Sequence, residues 1–284
     1  MFMKLFSVLM LWLWVAQLFA QGTYVELDDG AKLYVNESGS GQTLVFITGW
    51  TMTHRFFEYQ QSHFSKDYHV LTYDPRGQGR SDKTIWKNTY KDHANDLHQL
   101  LGQKQLTDVV LIGWSSGCLA VYEYIRSYGF KDVDKVVLID EPPKWIGDVE
   151  TEWVYGSFDD YRSSLKGMIS GPSDPNGIID WMLKEPLDSL DRQWMQQNIL
   201  MTPPHVALSL YIDGMVSDYQ LDLIRLEQRV PTMVMMRWNW FEEGKAWIDL
   251  YAPGLKLKRL SSHAMFWERP DFFNEMLTEF LNME

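Results

Sequence analysis

The feature that most constrains this chain is an apolar run at 109–112, followed at once by GWSSG at 113–117 and then by a helical pattern. Glycines at both ends of a G-x-S-x-G segment let a strand and a helix approach closely around a sharp turn. Side chains at Gly113 and Gly117 would prevent that packing. The pattern therefore predicts that Ser115 lies on a strained turn between a buried strand and a helix, with its hydroxyl exposed.

Apolar runs alternate with helical patterns along most of the chain. Because continuously apolar runs suit strands that are covered on both sides by helices, this alternation predicts an α/β fold with a doubly wound, mostly parallel sheet. The turn residues Asp28, Asp29 and Gly30 predict a β-hairpin before it. Strands are predicted at 24–27, 32–35, 43–47, 70–73, 109–112, 136–139, 232–236 and 255–260, and helices at 54–64, 90–101, 119–128 and 270–281.

Two segments depart from this alternation. Residues 1–20 place Lys4 before an apolar stretch and end at Ala20, which predicts a signal peptide and a secreted or periplasmic protein, or a membrane-anchored one if the leader is retained. The segment 143–229 is helical, aromatic and interrupted by proline. We expect it to be a helical lid inserted into an α/β core made of residues 21–142 and 230–284.

Composition excludes several classes of function. The net charge of −12 repels phosphate backbones, so nucleic acid is not expected as a partner. Cys118 is the only cysteine, which rules out an intramolecular disulfide and a cysteine metal cluster. We predict no metal and no cofactor, a small-molecule substrate as the partner, and no membrane contact of the mature chain once the leader is removed.

Four segments together carry a resemblance to a known family. Besides GWSSG, these are residues 48–50 (TGW), residues 74–81 (DPRGQGRS) and Ser262 with His263 near the end of the chain. With these four segments in their order along the chain, the sequence resembles the α/β-hydrolase superfamily. Within it, the chain resembles the cofactor-free haloperoxidase-like, non-haem chloroperoxidase-type branch of serine hydrolases. The fold implied is an α/β-hydrolase fold with an inserted helical lid.

The chemistry of acyl transfer then suggests roles for the matching residues. Ser115 is the expected nucleophile, and His263 is the expected base that takes its proton. The backbone N–H groups of Trp50 and Ser116 are expected to bind the oxyanion, at the two places that the family uses. Thr48 replaces the family's usual histidine in the first of these turns.

The third member of the triad is less clearly indicated. The family usually places its acid after the strand 232–236, where this chain has Trp240. We predict Asp140, at the end of the preceding strand, with Glu242 and Glu141 as alternative acids. In the segment 74–81 we expect Asp74 and Arg76 to form a tight turn with an ion pair, in a structural role.

The predicted function is cleavage of a small or medium, partly apolar carboxylic ester through an acyl-enzyme. Perhydrolysis or haloperoxidase activity on the same triad is one alternative. A catalytically degenerate binding module is the other, and the residue Trp240 at the expected acid position is its support.

Overall fold

Buried apolar strands form the centre of the protein. The computed structural model describes residues 22–148, 152–170 and 174–283, so the predicted signal peptide lies outside the described residues. Strand positions agree closely with those predicted from the apolar runs. The strands are β1 (Thr23–Glu26), β2 (Lys32–Ser38), β3 (Thr43–Ile47), β4 (His69–Tyr73), β5 (Val109–Trp114), β6 (Val133–Ile139), β7 (Thr232–Arg237) and β8 (Lys256–Leu260).

All eight strands belong to one sheet in the order β1-β2-β4-β3-β5-β6-β7-β8. Strands β1 and β2 form the predicted hairpin, and β2 pairs antiparallel with β4. The other pairs are parallel. The predicted α/β fold with a doubly wound, mostly parallel sheet is confirmed. Because β3 to β8 all run in one direction, the loops that follow them meet at a single edge of the sheet.

Helices cover both faces of the sheet. Polar and apolar residues do not alternate along the central strands, so both faces of these strands must be shielded from water. In β3, Val45 and Ile47 pack into one apolar cluster, whereas Leu44 and Phe46 pack into the other. The helices are α1 (Glu58–Phe64), α2 (Tyr90–Gln103), α3 (Gly117–Tyr128), α4 (Phe158–Ser170), α5 (Pro175–Met182), α6 (Ser189–Ile199), α7 (Pro204–Val216), α8 (Gln220–Arg229), α9 (Phe241–Tyr251), α10 (Met265–Glu268) and α11 (Pro270–Leu281).

Local sequence signals explain where several helices begin and end. Thr89 and Asp92 form a capping box at the start of α2, each side chain accepting a hydrogen bond from the other residue's backbone N–H. Gly129 ends α3 with a positive φ of 75°. Two helices were not expected from the sequence, α9 and the single turn α10.

The segment between β6 and β7 contains α4 to α8. These helices lie within the range 143–229 that was predicted to be a lid, and the boundaries of that lid stay a prediction. Within the described part of the chain, no helix has the length and apolar character needed to cross a bilayer.

The segment 74–81 forms the predicted tight turn, but Asp74 and Arg76 do not pair with each other as expected. Each has other partners. Asp74 accepts hydrogen bonds from the backbone N–H of Arg80 and from His54, whereas Arg76 forms a two-point ion pair with Asp96 at 2.7 Å. The Asp74 carboxylate lies against Gly79, where a Cβ would stand 2.2 Å from it. This carboxylate therefore closes the turn on itself, and the Arg76 guanidinium attaches the turn to α2.

Candidate active site

The residues singled out in the sequence follow neighbouring parallel strands at one edge of the sheet. Ser115 comes directly after β5, Asp140 directly after β6 and His263 shortly after β8. The turn at residues 48–50 follows β3, which pairs with β5. Ligands of doubly wound sheets bind at this carboxyl edge. Strand order thus brings together Trp50 and His263, which are 213 positions apart.

Ser115 has the backbone geometry that the G-x-S-x-G pattern predicts. Its φ is 52°, a left-handed value that costs a residue other than glycine about 1–3 kcal/mol. A Cβ on Gly113 would lie 2.9 Å from the backbone of Cys118, and one on Gly117 would lie 2.4 Å from the carbonyl oxygen of Ile47. Only glycine fits at both positions, so the strand and the helix can close around a partly exposed Ser115.

Two backbone N–H groups border Ser115. The Gly49 turn lies so close to Ser115 that a Cβ on Gly49 would stand 2.9 Å from the Ser115 Cβ and 3.4 Å from its Oγ. Within the described residues, the N–H groups of Trp50 and Ser116 have no hydrogen-bond acceptor in the protein. Ser116 also stands at the start of α3, where the helix dipole favours negative charge. Both groups are therefore available to an anion that forms beside Ser115.

The structure pairs His263 with Asp140. The His263 Nδ1 lies 2.6 Å from Asp140 Oδ2, and both side chains are almost completely buried. Asp140 also has a positive φ of 53°, and its N–H extends the sheet by donating to the Met235 carbonyl at 2.7 Å. A carboxylate in this position holds the imidazole in one orientation, with its proton on Nδ1.

Two residues that the sequence analysis did not assign to the site hold the Asp140 carboxylate. The Arg237 N–H and the Trp240 indole N–H donate to Oδ1 at 2.7 and 2.9 Å, and the Arg237 guanidinium lies 3.0 Å from Oδ2. That guanidinium is sandwiched against two indoles, 4.1 Å from the Trp240 ring and 4.2 Å from that of Trp181. Trp240, which stands where the family's acid was expected, thus supports an acid supplied by the neighbouring strand.

A signal for this arrangement was present in the sequence. Arg237 is a charged residue at the end of an otherwise apolar strand, and a buried charge needs a partner. The matching carboxylate at the end of an adjacent parallel strand is Asp140.

The alternative acids lie elsewhere. Glu242 is exposed in the first turn of α9, where a carboxylate is favoured by the helix N-terminus, and it has no described contact with His263. Glu141 is buried and accepts hydrogen bonds from the Trp145 indole N–H and the Tyr155 hydroxyl. Burial raises the pKa of Glu141 to about 8, against the lowering effect of these two donors.

His263 lies against Trp114, the residue that precedes Ser115. The Trp114 indole N–H donates to the His263 carbonyl at 2.9 Å, and the two rings are 5.4 Å apart. Trp181 covers the imidazole at a centroid distance of 4.4 Å. Burial lowers the pKa of His263 to about 4, although Asp140 favours the charged form. At neutral pH the imidazole is therefore unprotonated and able to accept a proton.

A cavity of about 720 Å³ opens over Ser115. This volume lies in the range of about 300–1,000 Å³ that holds drug-sized ligands. Trp50 and Ser116 border it together with aromatic residues of the helical segment, and none of the described residues that line it is basic. Among the residues that the structure describes, no cluster of three or more His, Cys, Asp or Glu side chains could hold a metal ion.

Comparisons with known proteins agree with this geometry. A family profile described as alpha/beta hydrolase fold matches residues 42–162. The AB hydrolase superfamily protein YisY of Bacillus subtilis is 30% identical over 92% of this chain and 99% of its own length. A non-heme haloperoxidase of Rhodococcus erythropolis is 30% identical over 45% of this chain and 47% of its own.

Among solved structures, an esterase from Exiguobacterium antarcticum superposes with a TM-score of 0.83. It is 24% identical in sequence, and the match covers 93% of this chain and all of the esterase. At this level of identity the likeness concerns the fold.

Proposed function

This chain belongs to the α/β-hydrolase superfamily, and from that premise we propose that it is a serine hydrolase of carboxylic esters that acts through an acyl-enzyme. The observation that carries the proposal is the pairing of His263 with Asp140 at the same sheet edge as a partly exposed, left-handed Ser115. Nucleophile, base and orienting acid are the three parts that acyl transfer by a serine requires.

Acylation follows from these positions. The Ser115 Oγ attacks the ester carbonyl carbon while His263 Nε2 takes the hydroxyl proton, since Nδ1 is committed to Asp140. Negative charge develops on the carbonyl oxygen, which the N–H groups of Trp50 and Ser116 bind; loss of one such donor costs about 10²–10³ in rate. When the tetrahedral intermediate collapses, the bond to the alcohol breaks and the alcohol oxygen takes the proton from His263.

Deacylation repeats these steps with water. His263 takes a proton from a water molecule, whose oxygen attacks the acyl carbon, and Ser115 leaves with the proton returned to its Oγ. The products are the alcohol and the carboxylic acid.

The pocket supports a neutral, partly apolar substrate. Its aromatic lining offers dispersion contacts to an acyl or alcohol group, and no basic side chain of the described lining would compensate a carboxylate on the substrate. We therefore propose small to medium neutral esters as substrates.

A fluorophosphonate probe tests the proposal without choosing an ester. We expect covalent labelling at Ser115, located by peptide mass spectrometry, no labelling of Ser115→Ala, and full labelling of the exposed-serine control Ser62→Ala. Turnover of p-nitrophenyl esters from acetate to octanoate should disappear with the same variant. Folded wild-type protein that is neither labelled nor active would favour the binding-module alternative.

Perhydrolysis is the second candidate, supported by the similarity to a haloperoxidase. Hydrogen peroxide would replace water in deacylation, so that the acyl group leaves as a peracid. An assay with acetate, hydrogen peroxide and bromide would detect the peracid by bromination of monochlorodimedone. We expect Ser115→Ala to abolish any such activity.

Secretion remains a separate proposal that depends on residues 1–20. N-terminal sequencing of protein recovered from cells that express the full chain tests it. A mature N-terminus near residue 21 is expected, and an intact leader on membrane-bound protein would favour the anchored form.

A further inference from the structure

The pocket wall is a continuous series of ring contacts, which we call the aromatic arc. Consecutive ring centroids lie 5.4 to 6.2 Å apart. The arc starts at the oxyanion turn and ends at the ring that covers His263, so it surrounds the nucleophile from one side of the site to the other. In order, its members are Trp50, Tyr211, Tyr161, Trp145, Tyr155 and Trp181.

The middle of the aromatic arc is attached to the core through one carboxyl group. Glu141, which is 1% exposed, accepts a hydrogen bond from the Trp145 indole N–H on one oxygen and from the Tyr155 hydroxyl on the other. The Tyr155 hydroxyl also lies 3.3 Å from the carbonyl oxygen of Asp140. Glu141 directly follows Asp140, so this attachment starts beside the triad.

Apart from the longer hydrogen bond from the Tyr155 hydroxyl to the Asp140 carbonyl oxygen at 3.3 Å, the other described side-chain contacts of these two rings are aromatic. Trp145 packs against Tyr161 and Tyr211, and the Tyr155 ring packs edge-on against Trp240 at 4.7 Å. A ring contact tolerates several geometries, whereas a hydrogen bond to a buried carboxyl sets both a distance and a direction. The carboxyl of Glu141 is therefore the group that determines where the middle of the arc stands.

From these contacts we propose that Glu141 is a positioning residue that holds Trp145 and Tyr155 in the pocket wall and thereby sets the preference for longer acyl groups. The proposal rests on the proposed ester hydrolysis and names the part of the substrate that the aromatic arc selects. We expect an acetyl group at Ser115 to reach little of the arc, and a hexanoyl or octanoyl group to extend along it.

The expected effect of Glu141→Gln depends on the length of the substrate. Glutamine keeps the shape of the side chain, but its NH₂ group cannot accept a hydrogen bond. With the amide oxygen facing the Trp145 indole N–H, the Tyr155 hydroxyl loses its carboxyl acceptor and keeps only the Asp140 carbonyl oxygen at 3.3 Å. We expect kcat/KM to fall about ten-fold for p-nitrophenyl octanoate, mainly through KM, and less than about three-fold for p-nitrophenyl acetate. Glu242→Gln, on the exposed face of α9, is the matched control and should leave kcat/KM unchanged for both esters.

A double-mutant cycle links this effect to the Tyr155 hydroxyl. Tyr155→Phe removes the donor and keeps the ring, so it should reproduce the loss on octanoate, and the double variant should be no worse than the more affected single variant. Tyr122→Phe, a buried tyrosine outside the pocket, is the control. Equal losses for acetate and octanoate, or additive losses in the double variant, would overturn the proposal and leave Glu141 a general structural role.

A binding measurement separates this proposal from the proposed function. In the Ser115→Ala background, calorimetry with phenyl alkyl ketones of increasing chain length measures pocket affinity without chemistry. We expect affinity to rise with chain length, and this rise to be lost with Glu141→Gln. If wild-type protein hydrolyses no ester but ketone affinity rises with chain length and Glu141→Gln abolishes that rise, only the proposed ester hydrolysis fails. If Glu141→Gln leaves the rise in affinity unchanged, only the proposed role of Glu141 fails.

Discussion

The carboxyl edge of the sheet and the helical segment that covers it are built in different ways. Strands β3, β5 and β7 are buried at every residue. They form the middle of the parallel sheet that places Ser115 after β5, Asp140 after β6 and His263 after β8. The helical segment exposes many large apolar side chains, among them Phe158, Leu190 and Val216 at 62–78%. Its pocket-facing rings are attached mainly by aromatic contacts and by Glu141.

This difference separates two tasks. Catalysis needs reacting groups held within fractions of an ångström, which the hydrogen-bonded edge of a parallel sheet provides. Substrate selection tolerates looser packing, because dispersion contacts change gradually with distance. Changes at the sheet edge should therefore affect rate for every substrate, and changes in the helical segment should affect some substrates only.

The largest effect is expected from Asp140→Asn. The amide would present an NH₂ group to His263 Nδ1 and favour the wrong tautomer, so kcat should fall about 10⁴-fold for short and long esters alike. The Arg237 guanidinium would also lose its charge partner, at about 3–5 kcal/mol of unfolding free energy. Steady-state kinetics and thermal unfolding measure both, with Asp271→Asn on the surface of α11 as the control. Retained activity would remove Asp140 from the triad.

Identical truncations in the two regions should differ strongly in stability. Leu111 in β5 is fully buried, so Leu111→Ala should cost about 2–5 kcal/mol of unfolding free energy. Leu190 in α6 is 75% exposed, and Leu190→Ala should change the free energy by about 0.5 kcal/mol or less. Urea unfolding compares the two variants. Equal losses would show that the helical segment is packed as tightly as the core.

A smaller effect is expected from Trp240→Phe. The phenyl ring keeps much of the packing but removes the N–H that donates to Asp140 at 2.9 Å. Loss of a hydrogen bond to a charged acceptor costs about 1.5–3 kcal/mol, of which we expect a part to appear as a roughly ten-fold lower kcat. Trp238→Phe, an exposed tryptophan of the same loop, should leave kcat unchanged. An unaffected Trp240→Phe would mean that Arg237 alone holds the acid.

The smallest effect concerns pH. In the proposed mechanism the neutral form of His263 is the base. Because burial lowers its pKa to about 4, activity should be present at neutral pH, persist on acidification and be lost only as pH falls through about 4. With an ordinary pKa of about 6.5, only about a tenth of the activity would remain at pH 5.5. The profile of kcat/KM between pH 3.5 and 8 distinguishes the two. An acid limb near 6.5 would show that water reaches His263 in the working enzyme.

Most of the sheet could be predicted because each strand is indicated by the residues of its own short segment. Runs such as 44–47 are apolar throughout, and only a strand covered on both faces buries such a run efficiently. The strained turn around Ser115 was equally predictable, because Gly113 and Gly117 meet a steric requirement of the turn itself. By contrast, residues 237–244 looked like a loop, and the helix that begins at Phe241 carries Glu242 away from the site.

The sequence favoured Asp140 as the acid but left Glu141 and Glu242 open as alternatives. Asp140, Glu141 and Glu242 are all carboxylates near strand ends, and nothing local excludes the two alternatives. The positive φ of Asp140 and the donors on β7 make the distinction, and both exist only once β6 and β7 lie side by side.

The sequence by itself determined the alternation of elements, the strained serine and the position of His263, since each depends on residues close together in the chain. Tertiary structure decided which carboxylate meets His263 and which rings form the aromatic arc, whose members lie between positions 50 and 211. The physical reason is that hydrogen bonds and ring contacts act over a few ångströms in space. Strand order and helix packing bring the atoms of these contacts together, and the distance between two residues along the chain does not predict that they will meet.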